Sequence, residues 1–157
     1  MQIESIEFRT LDYADDAEVL EYLRLFWAVP EEFNDYFTRR SEAFIQDWVK
    51  SARATENANN TFSGIALHDG KIVGVHIVRR FHELELIGAH IAGLWVHPQY
   101  RSSGIARTLK GNGEAWAKSV GATFMNTNIQ VGNDRMMAIN MRAGCKVFRH
   151  NFRKRLL

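Results

Sequence analysis

Three apolar runs in close succession constrain the fold more than any other feature: TFSGIALH (61–68), KIVGVHIVRRF (71–81) and LIGAHIAGLWV (86–96). The first two are separated only by Asp69-Gly70, a pair that tolerates the positive φ of a tight turn, so they read as a hairpin. The third run adds another strand. Upstream, Ile3, Ile6 and Phe8 give an imperfect alternation over residues 2–9, the mark of a first strand. Asp12 is placed to cap a helix through AEVLEYLRLFWAV, in which Val19, Leu20, Leu23, Phe26 and Trp27 recur at helical spacing and Pro30 is the expected stop. Phe37, Phe44, Ile45, Trp48 and Val49 share one side of a second helix over 35–52, closed by the polar turn ENANN at 56–60. Downstream, a helix over 103–120, a strand over 122–130, a helix over about 134–143 and a last strand over 146–156 complete the pattern. The order β-α-α-β-β-β-α-β-α-β predicts an α/β (α+β) fold, a mixed sheet flanked by helices.

No repeat or linker divides the chain, and 157 residues suit a single domain spanning 1–157 that buries roughly two thirds of its unfolded surface. Twenty basic residues against 18 acidic ones leave +2, too small an excess for a dedicated nucleic-acid binder. No run approaches the ~20 apolar residues that span a bilayer. MQIESIEFRT lacks a basic leader, so the expectation is a cytoplasmic protein with no membrane partner. The single cysteine, Cys145, cannot form an internal disulfide or a multi-cysteine metal site. His68, His76, His82, His97 and His150 show no ligand spacing, and HELEL at 82–86 lacks a second histidine, so no metal is expected.

The chemistry concentrates in LWVHPQYRSSGIARTLKGNGEAWAKSVGA, residues 94–122. A strand ends at Pro98, a turn of Arg101, Ser102, Ser103 and Gly104 follows, and a helix begins near Ile105 and Ala106. Ile105, Leu109, Trp116 and Val120 fall within about 60° on the helical wheel, with Arg107, Lys110, Glu114 and Lys118 opposite. The first-turn amides have no intrahelical acceptors, and their dipoles sum to about half a positive charge. A glycine lets a ligand oxygen approach, the serines add donors and Arg101 a full charge, a combination suited to phosphate or pyrophosphate. Taken alone, the turn fits an ordinary serine-capped connection equally well. It lacks the three glycines of the dinucleotide fingerprint and the Gly-Lys-Ser/Thr ending of the P-loop.

Arg-x-x-Gly-x-Ala after LWVHPQYR resembles the coenzyme A pyrophosphate loop of the GNAT superfamily of N-acetyltransferases, whose pattern is Gln/Arg-x-x-Gly-x-Gly/Ala after Leu-x-Val-x-Pro-x-Tyr-Arg. The six-residue pattern alone would match about one position in a thousand, but the strand before it, the helix after it and the order of elements over nearly the whole chain agree. GNDRMMAINMRAGCKVF is similar to the later family segment, with Asn133 opening a helix and Gly144 closing it. The resemblance implies a mixed, mostly antiparallel sheet of six to seven strands flanked by helices, and acetyl-CoA as co-substrate. Residues 101–106 would hold its pyrophosphate, and Asn133 its pantetheine or phosphate region. Leu94, Trp95 and Val96 would offer backbone groups to pantetheine and to the thioester carbonyl. It implies transfer of an acetyl group to a primary amine, on a small molecule or a protein, by direct attack in a ternary complex. Family members are often dimers, so a homodimer stays open.

Two departures from the family pattern stand at the chemical end. Asn140 occupies the position where many members carry a proton-donating tyrosine; it is a candidate for both catalysis and cofactor contact, and equally for a structural amide. Ala92 stands where many carry a glutamate base. Only about 0.04% of an alkylamine is neutral at pH 7, a deficit of about 4–5 kcal/mol, so a proton acceptor matters. Strict alternation along the strand puts His90 on one face with Ala92, Leu94 and Val96, which makes it the first candidate base, with Glu83 and Glu85 the next. A structural histidine at 90 is the competing reading. The two absences also admit an acyl-CoA-binding sensor without catalysis. By the resemblance, the first two helices border the acceptor cleft; Phe33 and Tyr36 are its candidate lid residues, and Glu31, Glu32 and Asp35 beside them would favour a cationic acceptor.

Overall fold

The computed structural model describes residues 6–33, 40–151 and 154. In chain order the elements are β1 (Ile6–Thr10), α1 (Asp16–Phe33), α2 (Glu42–Thr55), β2 (Thr61–His68), β3 (Lys71–Glu83), β4 (Leu86–Val96), α3 (Ile105–Ser119), β5 (Phe124–Thr127) and α4 (Asp134–Arg142). The sheet runs β1-β2-β3-β4-β5, antiparallel throughout except for the parallel pair β4–β5. Asp69 and Gly70 both take positive φ in the β2–β3 turn, as the sequence requires.

One face of the sheet carries α1 and α2. Val19, Tyr22, Leu23, Phe26, Ile45 and Val49 pack there against Ile65, Leu67, Val75 and Ile77. The other face carries α3, whose Ile105 and Leu109 meet Ala66 and Val73, and whose Ala117 meets Phe62, Val78 and Ala89. Gly113 brings α3 close to the sheet: a Cβ there would lie 2.8 Å from Nε2 of the buried His76.

Several expectations change. The described residues hold five strands where six to seven were expected. Residues 145–151 carry no regular structure and are exposed, so the expected strand over 146–156 is not formed there; apart from 154, the rest of that span lies outside the described residues. Val147 and Phe148 face water, so the segment brings no apolar burial to the sheet. Helix α1 continues through Pro30 to Phe33, since a helical proline forfeits one backbone hydrogen bond and the buried side of the preceding turns holds the helix. Its cap is Asp15, whose carboxylate accepts from the amides of Ala17 and Glu18, whereas Asp12 accepts from Ala14 in the preceding turn. Helix α2 starts at Glu42, capped by Ser41; most of the chain between α1 and α2, including Asp35, Tyr36 and Phe37, lies outside the described residues.

The irregularity that matters most is in β4. Ile77 pairs with Gly93 and Val78 with Ile91, so Ala92 is the extra residue of a β-bulge. The facing of side chains slips by one there. Ala89 and Ile91 pack toward α3, and so do Leu94 and Val96, while Ala92 joins the α1–α2 core. His90, between Ala89 and Ile91, therefore shares a face with Ala92 but not with Leu94 and Val96. Strict alternation is corrected at that point.

Candidate functional site

The bulge coincides with the end of the β4–β5 pairing. Strand β5 matches β4 only from Gly88↔Phe124 to Ile91↔Thr127. Beyond Ile91, β4 keeps its β3 partner on one edge and, among the described residues, has no strand on the other. His97 N–H donates to Val73 O on β3 at 2.9 Å, so alternation turns the N–H and C=O of Leu94 and Val96 to the open edge. A cleft of about 100 Å³ fills this splay, lined by Ile91 to Leu94 of β4, by 127–130 after β5, by Asn133, Met136 and Asn140 of α4, and by Lys110 of α3.

His76 fixes one wall. Its Nδ1 lies 3.0 Å from Gly93 O, and that contact makes Nδ1 the protonated nitrogen. In a trans peptide the next N–H, that of Leu94, points opposite to the Gly93 carbonyl and so into the splay. Burial pushes the His76 pKa down to about 4, with the Gly93 bond opposing and the nearby Lys110 adding to the effect. The ring is thus neutral, and its Nε2 has no hydrogen-bond partner among the described residues.

At one end of the splay lies the turn singled out in the sequence. Ser102 and Gly104 both have positive φ, 70° and 95°. Gly104 caps α3 without a side-chain hydrogen bond, so the serine cap is not what the structure holds. The first intrahelical bond is Thr108 N–H to Gly104 O at 3.1 Å, which leaves the amides of Ile105, Ala106 and Arg107 directed out of the helix end. Ser103 Oγ donates to Tyr100 O at 2.6 Å, while Ser102 Oγ accepts from Arg135 of α4 at 3.1 Å. Arg101 Nε donates to Val96 O at 3.0 Å, tying the turn to the end of β4. The result is a cluster of backbone donors rimmed by Arg101, Arg107 and Arg135, a place for a polyanion.

The remaining candidates fall as follows. Asn133 Oδ1 caps α4 through Met136 N–H at 3.2 Å while the residue lines the cleft. Asn140 is buried in the cleft, and its Oδ1 accepts from Lys110 Nζ at 2.7 Å. His90 Nδ1 lies 2.6 Å from Asn126 Oδ1 on β5. A carboxamide oxygen only accepts, so Nδ1 carries a proton, and the lone pair of the neutral ring is on Nε2. Glu83 and Glu85 flank Leu84 at the β3–β4 hairpin, seven residues or more from Ala92 and thus about 20 Å along the strand; the structure does not bring them to the cleft. Phe33 is the last residue of α1, and Tyr36 lies outside the described residues. Trp95 packs against the α1–α2 core. Cys145 is exposed.

The sequence reading missed Arg135, Asn126, His76 and Lys110. The helical wheel set Lys110 among outward charges, yet that flank of α3 is where α4 arrives. Among the described residues, no cluster of His, Cys, Asp and Glu suits a metal ion, and no helix is long and apolar enough to cross a membrane.

Comparison with known proteins agrees with this architecture. The sequence model of the acetyltransferase (GNAT) family matches residues 18–144. No curated protein matches the chain. Among solved structures, an aminoglycoside acetyltransferase from an uncultured soil metagenomic sample, in complex with sisomicin, superposes with a TM-score of 0.75 at 19% identity, over 99% of this chain and 100% of that one. The aminoglycoside acetyltransferase AAC(6')-Iy, in complex with a CoA-S-monomethyl-acetylneamine bisubstrate analogue, gives 0.72 at 15% identity over 96% and 98%. Glucosamine-6-phosphate N-acetyltransferase from Arabidopsis thaliana gives 0.71 at 13% identity over 96% and 98%. At these identities the likeness is one of fold.

Proposed function

Because the chain belongs to the acetyltransferase (GNAT) family, we propose that it transfers an acetyl group from acetyl-CoA to a primary amine within a ternary complex. The observation that carries this reading is the coincidence of three features: a turn of backbone donors at 101–107, a β4 edge at Leu94 and Val96 with no strand beside it among the described residues, and a cleft lined by Asn140. Acetyl-CoA, when bound, supplies the thioester. The turn amides and Arg135 would hold the pyrophosphate. The open edge at Leu94 and Val96 would take the pantetheine amides, and the Leu94 N–H would polarise the thioester carbonyl, acting where charge develops.

His90 is the proposed base. In the neutral ring its lone pair is on Nε2, and it stands two residues along from Ala92 on the same face. The acceptor amine enters from the α1–α2 side, and Phe33 and Tyr36 are its proposed contacts. The neighbours in complex with sisomicin and with a bisubstrate analogue support an amine-bearing small molecule as the first acceptor class to test.

Calorimetry with CoA, acetyl-CoA and ATP, followed by a thiol-release assay over a panel of amines, tests the reading. CoA binding with turnover on at least one amine is expected. CoA binding without turnover on any acceptor would favour a sensor, a role that Ala92, with no titratable side chain, would suit. His90→Ala is expected to lower kcat/KM about 10²- to 10⁴-fold and flatten its acid limb; an unchanged pH profile removes His90 from the mechanism.

A further inference from the structure

Of the described residues lining the cleft, Lys110 alone is charged. It takes part in none of the ion pairs among the described residues. Among the described residues its ammonium donates one hydrogen bond, to the neutral amide of Asn140 at 2.7 Å. The groups facing it are His76 from β3, held neutral by burial, and Asn140 from α4; on α3 itself the nearest carboxylate downstream, Glu114, is engaged with Lys118. A half-buried ammonium without a counter-ion is unfavourable, and an anion in the cleft relieves it.

The Lys110–Asn140 contact also decides how Asn140 presents itself. With Oδ1 turned to the ammonium, its NH2 is the part left to act, so the pair offers only donors. Lys110 follows Ala106 by four residues, on the same side of α3 and about 6 Å deeper along the axis than the turn amides. Its depth is that of the β4 bulge, away from the pyrophosphate turn. The anion that acetyl transfer forms is the sulfur of CoA.

We propose that Lys110 is a catalytic residue that takes the place of the family's proton-donating tyrosine by holding the departing CoA thiolate as an ion pair, with Asn140 aiming it. The assignment rests on the acetyl-CoA reading given above. In the step, the amine lone pair forms the N–C bond, and the C–S bond breaks with its electron pair going to sulfur. The amine proton goes to His90, and the sulfur leaves as a thiolate whose charge Lys110 balances. No oxidant or reductant is involved. The product CoA takes a proton from water after release.

The test reads the thiol of CoA bound to the full chain, followed by the ultraviolet absorbance of the thiolate across pH. The bound thiol is expected to titrate about one to three pH units below free CoA, the usual effect of an opposite charge in contact. Lys110→Met should return it to the value of free CoA or above, and Lys110→Arg should keep most of the displacement. Identical midpoints for bound and free CoA overturn the assignment, as do identical midpoints for the wild type and Lys110→Met. Should Lys110→Met fail to fold, the wild-type displacement and its partial loss in Asn140→Ala decide the matter. Absence of CoA binding to the wild type refutes the acetyl-CoA reading itself, whereas binding with an undisplaced thiol refutes only the role of Lys110.

Discussion

The buried His76 makes the stability of this protein depend on pH. Its ring is wholly inaccessible, with Nδ1 bonded to Gly93 O and Nε2 facing Gly113. The folded pKa is depressed from 6.5 to about 4. The sign follows directly: the unfolded chain binds the proton more tightly, so stability is intact above about pH 6.5, falls as pH drops toward about 4, and levels off below. Between pH 7.5 and 5 the linkage amounts to about 2 kcal/mol, a large share of the 5–15 kcal/mol typical of a domain. The clean comparison is His76→Asn, whose amide can still donate to Gly93 O but cannot titrate. Urea unfolding of both proteins at several pH values between 7.5 and 5 should show the variant less stable at pH 7.5 because of its smaller side chain. Its stability should also decline less toward pH 5, by about 2 kcal/mol. Parallel pH dependences would refute the claim that His76 is buried and neutral.

Two further expectations concern glycines whose replacement is informative. Gly113→Ala should destabilise, although alanine is the better helix former by about 1 kcal/mol, because its Cβ would meet the His76 ring at 2.8 Å; a rise in thermal midpoint would show that α3 can lift off the sheet at no cost. Gly104→Val places a β-branched residue at φ 95°, and should cost about 1–2 kcal/mol in urea unfolding and weaken CoA binding at least tenfold in calorimetry. Unchanged CoA affinity would move the pyrophosphate site away from this turn.

The central hairpin, the third strand and the helix after the turn were legible because each rests on local pattern. Asp69-Gly70 allows one kind of turn, and Ile105 and Leu109 face one way on any helix. The donor turn was legible for the same reason, since Arg101 to Ala106 are contiguous. Two local readings nevertheless failed: Pro30 does not stop α1, and residues 145–151 do not form a strand. In both, the deciding factor was what the segment packs against, which composition does not encode.

By itself, the sequence determined the order of most elements, the donor-rich turn and the family likeness, all properties of neighbouring residues and their periodicity. Tertiary structure decided the chemistry. The bulge at Ala92 follows from the registry of β4 on β3, and it separates His90 from Leu94 and Val96 onto opposite faces. The cleft exists because β5 leaves β4 after Ile91, and only the arrival of α4 beside α3 brings Asn140 to Lys110, thirty residues apart in the chain. Contacts between distant segments depend on how whole elements dock, and the local pattern carries no record of that docking.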